Sequence, residues 1–298
     1  FLVNHIFFFF FKEPLSIGIF NVGHVAALIL AASPWHIQFS RMALEANLSS
    51  FLFPLGLLFF LKSQKNYKYY YVVALAWGLC LYSYHAAKFF IPTFSLALLG
   101  IYYQNIRSNI IKILPSILLF VLLTFPLLIG QINQQDGSRA TDLLISNLSL
   151  EQMSSVNDSI FYSPLYKLNY SLPKAFHNRV FYISNQFVTN YLSYWSPNFW
   201  FLEGGREITY SVIPGRGLLL LFLLPFFVFG LFKIFTSSIN YKTKLLFAAW
   251  LFLAPLPAAL TKEGYRPNRA ASFALLLESI SAIGIWLFLQ KNVSKQRV

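Results

Sequence analysis

Apolar residues in this chain come in long uninterrupted runs, and polar residues fall between them in short clusters. A helix crossing a bilayer needs about 20 mostly apolar residues. Stretches that meet or approach this length lie at 15–33, 48–61 (extended backwards), 69–84, 89–103, 110–130, 214–235, 244–260 and 270–290, with a partial one at 1–11. The pattern predicts an all-α integral membrane protein of about eight complete transmembrane helices plus one partial helix. Prolines inside the runs (Pro54, Pro92, Pro115, Pro126, Pro225, Pro255, Pro257) are tolerable where neighbouring helices satisfy the freed backbone groups. The opening FLVNHIFFFFF has no charged n-region and no small-residue cleavage site, so it reads as the tail of a span whose start lies upstream rather than as a signal peptide.

Lysine and arginine in short loops set the orientation of such a bundle. The loops 62–68, 104–112 and 233–244 and the tail 291–298 carry basic residues and no acid, which places them and the C-terminus in the cytoplasm. The segments 33–47, 85–88, 131–213 and 261–269 then face outward, and the alternation closes without skipping a span. This divides the chain into N-terminal transmembrane helices (1–130), a long extracytoplasmic loop region (131–213) and C-terminal transmembrane helices (214–298). Within the loop region Phe176, Val180, Ile183, Phe187, Tyr191 and Trp195 recur at helical spacing, which predicts an amphipathic helix lying in the membrane interface.

Composition agrees with a membrane-embedded chain: 57% hydrophobic residues, 11% charged and a mean hydropathy of +0.57 leave too little polar surface to cover a soluble globule. The formal charge of +13 resides in scattered loops rather than in a basic domain, so nucleic acid is not an expected partner. The single cysteine, Cys80, lies in an apolar run and reads as packing.

Cations on the outer side run against the positive-inside tendency and call for a reason. They gather at span ends: Arg41 in SPWHIQFSRMALEANL, His85 and Lys88 in YSYHAAKFFIP, Arg216 in PGRG, and Lys262, Arg266 and Arg269 in TKEGYRPNRA. If the spans bundle, these loops meet in one cationic pocket suited to a lipid phosphate or pyrophosphate. Bland readings stand beside this one. Arg41 and Glu45 could form an ordinary ion pair four residues apart, His36 and His85 could be interfacial or core histidines, and Lys88 could snorkel. Glu278, near mid-depth in the last span, is either a hydrogen-bonded structural acid or a proton relay. The aromatic run YLSYWSPNFWF offers Tyr194, Trp195 and Trp200 as a platform for sugar rings, or forms an interfacial belt. No metal-ligand spacing, Walker motif or nucleophile elbow occurs, so no cofactor is identified, and a divalent metal is left open.

Taken in order, SPWHIQFSRMALEANL, LYSYHAAKFFIP, YLSYWSPNFWFLEGGREITYSVIPGRGLLLL and RPNRA resemble the polytopic glycosyltransferases of the GT-C class. They are most similar to the family 39 group of bacterial dolichyl-phosphate-mannose-protein mannosyltransferases and aminoarabinose transferases, and the likeness covers about residues 15 to 290. The resemblance implies an enzyme that moves a sugar from a polyprenyl-phosphate carrier to a lipid, glycan or protein acceptor at the outer face of the cell membrane. It implies a lipid-phosphate site drawn from Arg41, His85, Lys88, Arg266, Arg269, His36 and Arg216. Lys88 stands where the family often has arginine, which keeps the charge and loses the bidentate fork. The family's catalytic carboxylate belongs to an outer loop that would precede Phe1, leaving Glu45 as an orienting carboxylate at most. A transporter or flippase of lipid-linked glycans, or a noncatalytic remnant of the enzyme, are the competing readings.

Overall fold

The computed structural model describes residues 16–17, 20–132, 144–167, 171–205, 215–262 and 264–296. The partial helix expected at 1–11 and the segments 133–143 and 206–214 of the long loop lie outside them.

Helices form where the apolar runs are. A short hairpin of β1 (Ser16–Ile17) and β2 (Phe20–Asn21) leads into α1 (Val22–Ala32), followed by the polar α2 (Pro34–Arg41), α3 (Glu45–Ser63), α4 (Tyr70–Ser83), α5 (Ala87–Ile101), the short α6 (Tyr103–Ser108) and α7 (Ile110–Ile132). The long loop folds into α8 (Leu150–Phe161), α9 (Ser171–Phe176) and α10 (Arg179–Ser193). The chain ends in α11 (Leu224–Thr236), α12 (Tyr241–Leu253), α13 (Leu256–Ala259) and α14 (Ala271–Gln296). Each of the eight complete apolar runs thus carries a helix.

Among the described residues three stretches are long and apolar enough to cross a membrane on their own: Glu45–Ser63, Ile110–Gly130 and Pro267–Gln290. The others stop short for local reasons. The run 15–33 spends its first residues on the hairpin, so α1 has 11 residues, about 17 Å at 1.5 Å per residue against a hydrocarbon core of about 30 Å. The run 244–260 is cut by Pro255 and Pro257, which end α12 at Leu253.

The last helix is the axis of the bundle. About 67% of the Pro267–Gln290 window is buried, against 17% for Ile110–Gly130, so α14 is central and α7 peripheral. α14 packs on α1, α3 and α11. Its contact with α11 brings backbone to backbone: a Cβ on Gly230 would collide with the Ile280 carbonyl, and one on Gly284 with the Phe226 carbonyl. Small residues permit this approach between membrane helices, where dispersion replaces a hydrophobic drive. α3 and α4 pair in the same way, with the Trp77 ring lying over Gly56 and its indole N–H donating to the Phe53 carbonyl at 3.1 Å.

Aromatic donors bonded to backbone carbonyls join other neighbours. The Tyr82 hydroxyl donates to Leu123 O at 2.7 Å, tying α4 to α7, and Trp250 Nε1 donates to Ser272 O at 3.0 Å, tying α12 to α14. At one end of the bundle the basic loops meet. Lys112 lies over the Tyr67 ring, Lys242 lies over the Tyr102 ring, and Asn105 Nδ2 donates to Gln64 Oε1 at 3.3 Å. Three loops far apart in sequence therefore share one cationic, aromatic surface.

Candidate functional site

The segment SPWHIQFSR begins as a helix because Ser33 is extended and Pro34 occupies the first helical position. α2 is anchored by Trp35 and Phe39, both fully buried with their rings 5.4 Å apart. The Trp35 indole N–H donates to Glu278 Oε1 at 2.8 Å, and Glu278 is only 3% exposed. The acid that sequence places in the last span is thus the partner of the tryptophan in the first polar motif. His36 meets Trp35 edge-on at 5.6 Å, and burial lowers its pKa.

Arg41 closes α2 and Glu45 opens α3, with a turn between them. They do not share a helix, so the ordinary four-residue ion pair is replaced by two groups carried on different elements. In that turn Ala43 has φ +49°, and Tyr265, immediately before Arg266, has φ +58°. Among the described residues these are the two non-glycine positions in the left-handed region, which costs about 1–3 kcal/mol each and is typically held in place at functional sites.

Opposite Glu45, the turn after α4 carries Tyr84, and the 3₁₀ turn Pro267–Ala270 that starts the last span carries Arg269. Burial pushes the Tyr84 phenol up to about 12, against the pull of the Arg269 guanidinium hydrogen-bonded to it; Glu45 adds a smaller push. Tyr194, fully buried, is also pushed up to about 12 by burial. Its hydroxyl accepts the Arg266 backbone N–H at 3.1 Å, and the charges of Arg269 and Arg266 pull in the opposite direction. Burial first and then the like charge of Arg269 lower the Arg266 guanidinium from its usual value. Two arginines and two tyrosine hydroxyls therefore converge, with Glu45 within electrostatic reach of Tyr84. Beneath them a cleft is lined by Ser49, Ser50, Phe53, Tyr84, Phe90 and Arg269. Its lining combines serine and tyrosine hydroxyls and the Arg269 side chain with aromatic carbon.

The remaining expected residues are placed less closely. His85 is exposed in the turn before α5, and Lys88 is half-buried in the first turn of α5. Arg216 is exposed on a turn whose backbone rests on another loop: a Cβ on Gly217 would collide with the Phe201 backbone, and Leu219 N donates to Trp200 O at 2.7 Å. The close approach accounts for Gly217, and a φ of +76° accounts for Gly215, without a phosphate.

The aromatic run is a packed cluster rather than an open platform. Tyr194 has no exposed surface, with the Phe199 ring edge-on at 5.0 Å. Trp195 and Trp200 are half-buried against Phe273, and Trp200 Nε1 donates to Tyr194 O at 2.6 Å. Tyr194 is thus turned into the core, while Trp195 and Trp200 keep part of their surface exposed. The expected stripe of α10 is turned as well. Phe187, Tyr191 and Trp195 face the protein, where Tyr191 Oη donates to Phe252 O at 3.0 Å, while Phe181, Val188 and Leu192 stand exposed.

Sequence reasoning passed over Tyr84, which lies one residue before the histidine it singled out. Its partner is 185 positions away in sequence, and only the fold brings them together. Among the described residues no group of three or more His, Cys, Asp or Glu side chains could hold a metal. No protein-family model, curated protein or solved structure matches this chain.

Proposed function

We propose that this chain is a membrane glycosyltransferase that takes a sugar from a polyprenyl-phosphate carrier and transfers it to a lipid, glycan or protein acceptor at the extracytoplasmic face. In this reading all eight apolar helices lie within the bilayer, the basic loops and the C-terminus are cytoplasmic, and the Arg266–Arg269 end faces outward. One observation carries the reading. Arg266 and Arg269, close enough to repel, are gathered with the Tyr84 and Tyr194 hydroxyls beside a small, mostly apolar cleft at the end of the bundle opposite the basic loops.

That arrangement supports a phosphate on an apolar chain. Two neighbouring guanidiniums that repel each other are relieved by a ligand carrying negative charge, and guanidinium forks match phosphate oxygens. When the anomeric carbon is attacked, the departing phosphate gains charge, so cations at its oxygens stabilise the transition state more than the ground state. The acceptor hydroxyl loses a proton in the same step and needs a carboxylate within hydrogen-bond reach. In this reading Glu45, within electrostatic reach of Tyr84, is the carboxylate that orients the acceptor.

A transporter would instead use acids spread through the membrane depth as relays. Glu278 supports that less, because it is engaged by the Trp35 indole.

The test is transfer from a polyprenyl-phosphate hexose in proteoliposomes. Arg269→Ala is expected to abolish transfer while the protein still inserts and remains monodisperse in detergent. Transfer at the wild-type rate by that variant would remove the phosphate-site argument.

A further inference from the structure

The arginine turn does not hold itself. Beyond α13 the Leu260 carbonyl accepts from Ile145 N at 3.1 Å, and four other backbone groups between Ala259 and Arg266 are met by one stripe of α10 and the residue that caps it. Gln186, Asn190 and Tyr194 lie four residues apart, on one face of a helix. Gln186 Nε2 donates to Lys262 O at 3.3 Å. Asn190 Nδ2 donates to Thr261 O at 2.6 Å and to Ala259 O at 3.4 Å, while its Oδ1 accepts from Gln186 Nε2 at 3.1 Å. The Tyr194 hydroxyl accepts from Arg266 N at 3.1 Å. Asn190 is 4% exposed, so these bonds are made away from water, where an unmade one is most costly. Gly264 sits so close that a Cβ there would come to 3.0 Å from Ser193 Oγ and 3.4 Å from Asn190 Oδ1. The neighbouring Tyr265 is kept left-handed, with its ring edge-on to Phe199 at 5.4 Å.

We infer that Asn190, at the centre of this ladder, is the positioning residue for the lipid-phosphate site: it fixes the 259–266 segment to α10 and so sets where Arg266 and Arg269 present their charges. The inference rests on the function proposed above. Asn190 touches neither arginine side chain in the structure and acts through the backbone between them and the helix. A four-residue spacing of amide, amide and phenol aimed at one loop is more than packing requires. An apolar stripe would bury α10 as well but would leave four carbonyl and amide groups of the loop unsatisfied.

The experiment compares wild type, Asn190→Leu, Asn190→Asp and Arg269→Ala in lipid nanodiscs with two readouts. Undecaprenyl phosphate is the binding probe, and hydrogen exchange of the peptide covering 259–266 is followed independently of any ligand. Leu keeps the volume of Asn without its donors, and Asp keeps the acceptor while placing a carboxylate against two carbonyls. Losing one net hydrogen bond should speed exchange in this peptide by roughly two- to tenfold. Undecaprenyl phosphate binding should weaken by a similar factor in both Asn190 variants, with a larger loss in Asp, while the KM for the acceptor is unchanged. A general folding defect would raise exchange throughout the bundle and move both substrates' constants together, which would overturn the assignment. Wild-type binding and exchange in both Asn190 variants, with binding lost in Arg269→Ala, would overturn the positioning role and leave the phosphate site standing. Undiminished binding in Arg269→Ala would instead remove the phosphate site, and with it the inference.

Discussion

The bond between Trp35 and Glu278 yields the most direct test of how the polar helix α2 is fixed to the bundle. Trp35→Phe keeps most of the ring in its pocket beside Phe39 but deletes the indole N–H, the donor that reaches Glu278 Oε1 at 2.8 Å. The carboxyl stays 3% exposed with neither water nor that indole to satisfy it. Leaving a buried polar group without its partner costs about 1–3 kcal/mol, and more where the group is charged. Glu278→Met alone strands the indole N–H instead and costs a comparable amount. The double variant removes both partners and replaces them with apolar groups of similar shape, a change that can be nearly neutral for the bond itself. The two losses should therefore fail to add, with a coupling of about 1–3 kcal/mol in a double-mutant cycle. Unfolding by SDS titration in mixed micelles, read by pulse proteolysis, measures all four proteins. If the two single losses sum to that of the double variant within about 0.5 kcal/mol, the indole–carboxyl bond does not hold α2 on α14 and the reasoning is refuted.

Two further outcomes can be checked with the same preparations. Gly284→Leu, which drives a side chain into the Phe226 carbonyl, should cost about 3 kcal/mol by separating α11 from α14, whereas Gly100→Leu, with open space around it, should cost nothing; equal effects would refute the backbone-contact account of this pair. The Tyr84 phenol, pushed from the ordinary 10 up to about 12 by burial, favours its neutral form in the folded protein. Its share of stability is therefore complete below about pH 10 and is lost as the pH rises toward 12, and Tyr84→Phe should remove that part of the alkaline loss in unfolding measured across this window; an alkaline profile unchanged by the substitution would refute it.

The positions of the helices were legible because hydrocarbon runs and helices coincide, as the boundaries of α3, α5 and α7 show. Their lengths were less so. Pro255 and Pro257 end α12 early, and the 16–21 hairpin consumes residues that hydropathy assigns to a span, since a hydropathy window sees apolar atoms and not hydrogen-bonding geometry. In the site, Arg266 and Arg269 could be singled out by charge in a place that disfavours charge. Tyr84 and Asn190 could not, because an uncharged polar residue near a helix end is ordinary until its partner is known, and those partners lie in loops far away in the chain. The aromatic run illustrates the opposite error: a row of Tyr, Trp and Phe fits a stacking platform, an interfacial belt or a core equally well, and Tyr194 chose the core because its hydroxyl had an amide to meet.

One physical theme joins the axis of the bundle to its functional end. Inside a bilayer a polar group that lacks a partner has no water to turn to, so each buried one must be matched by a neighbour from another element. Trp35 with Glu278, Trp77 with the Phe53 carbonyl, Trp250 with the Ser272 carbonyl and Asn190 with the 259–261 carbonyls all obey this rule. The arginine turn adds charge and strain to this pattern. Arg266 and Arg269 repel each other, Tyr265 is held in a strained conformation, and the cleft below is mostly apolar. Bonds between elements thus fix the helices around α14, and bonds of the same kind, from Asn190 and Tyr194 to the 259–266 backbone, fix the turn that carries the two arginines.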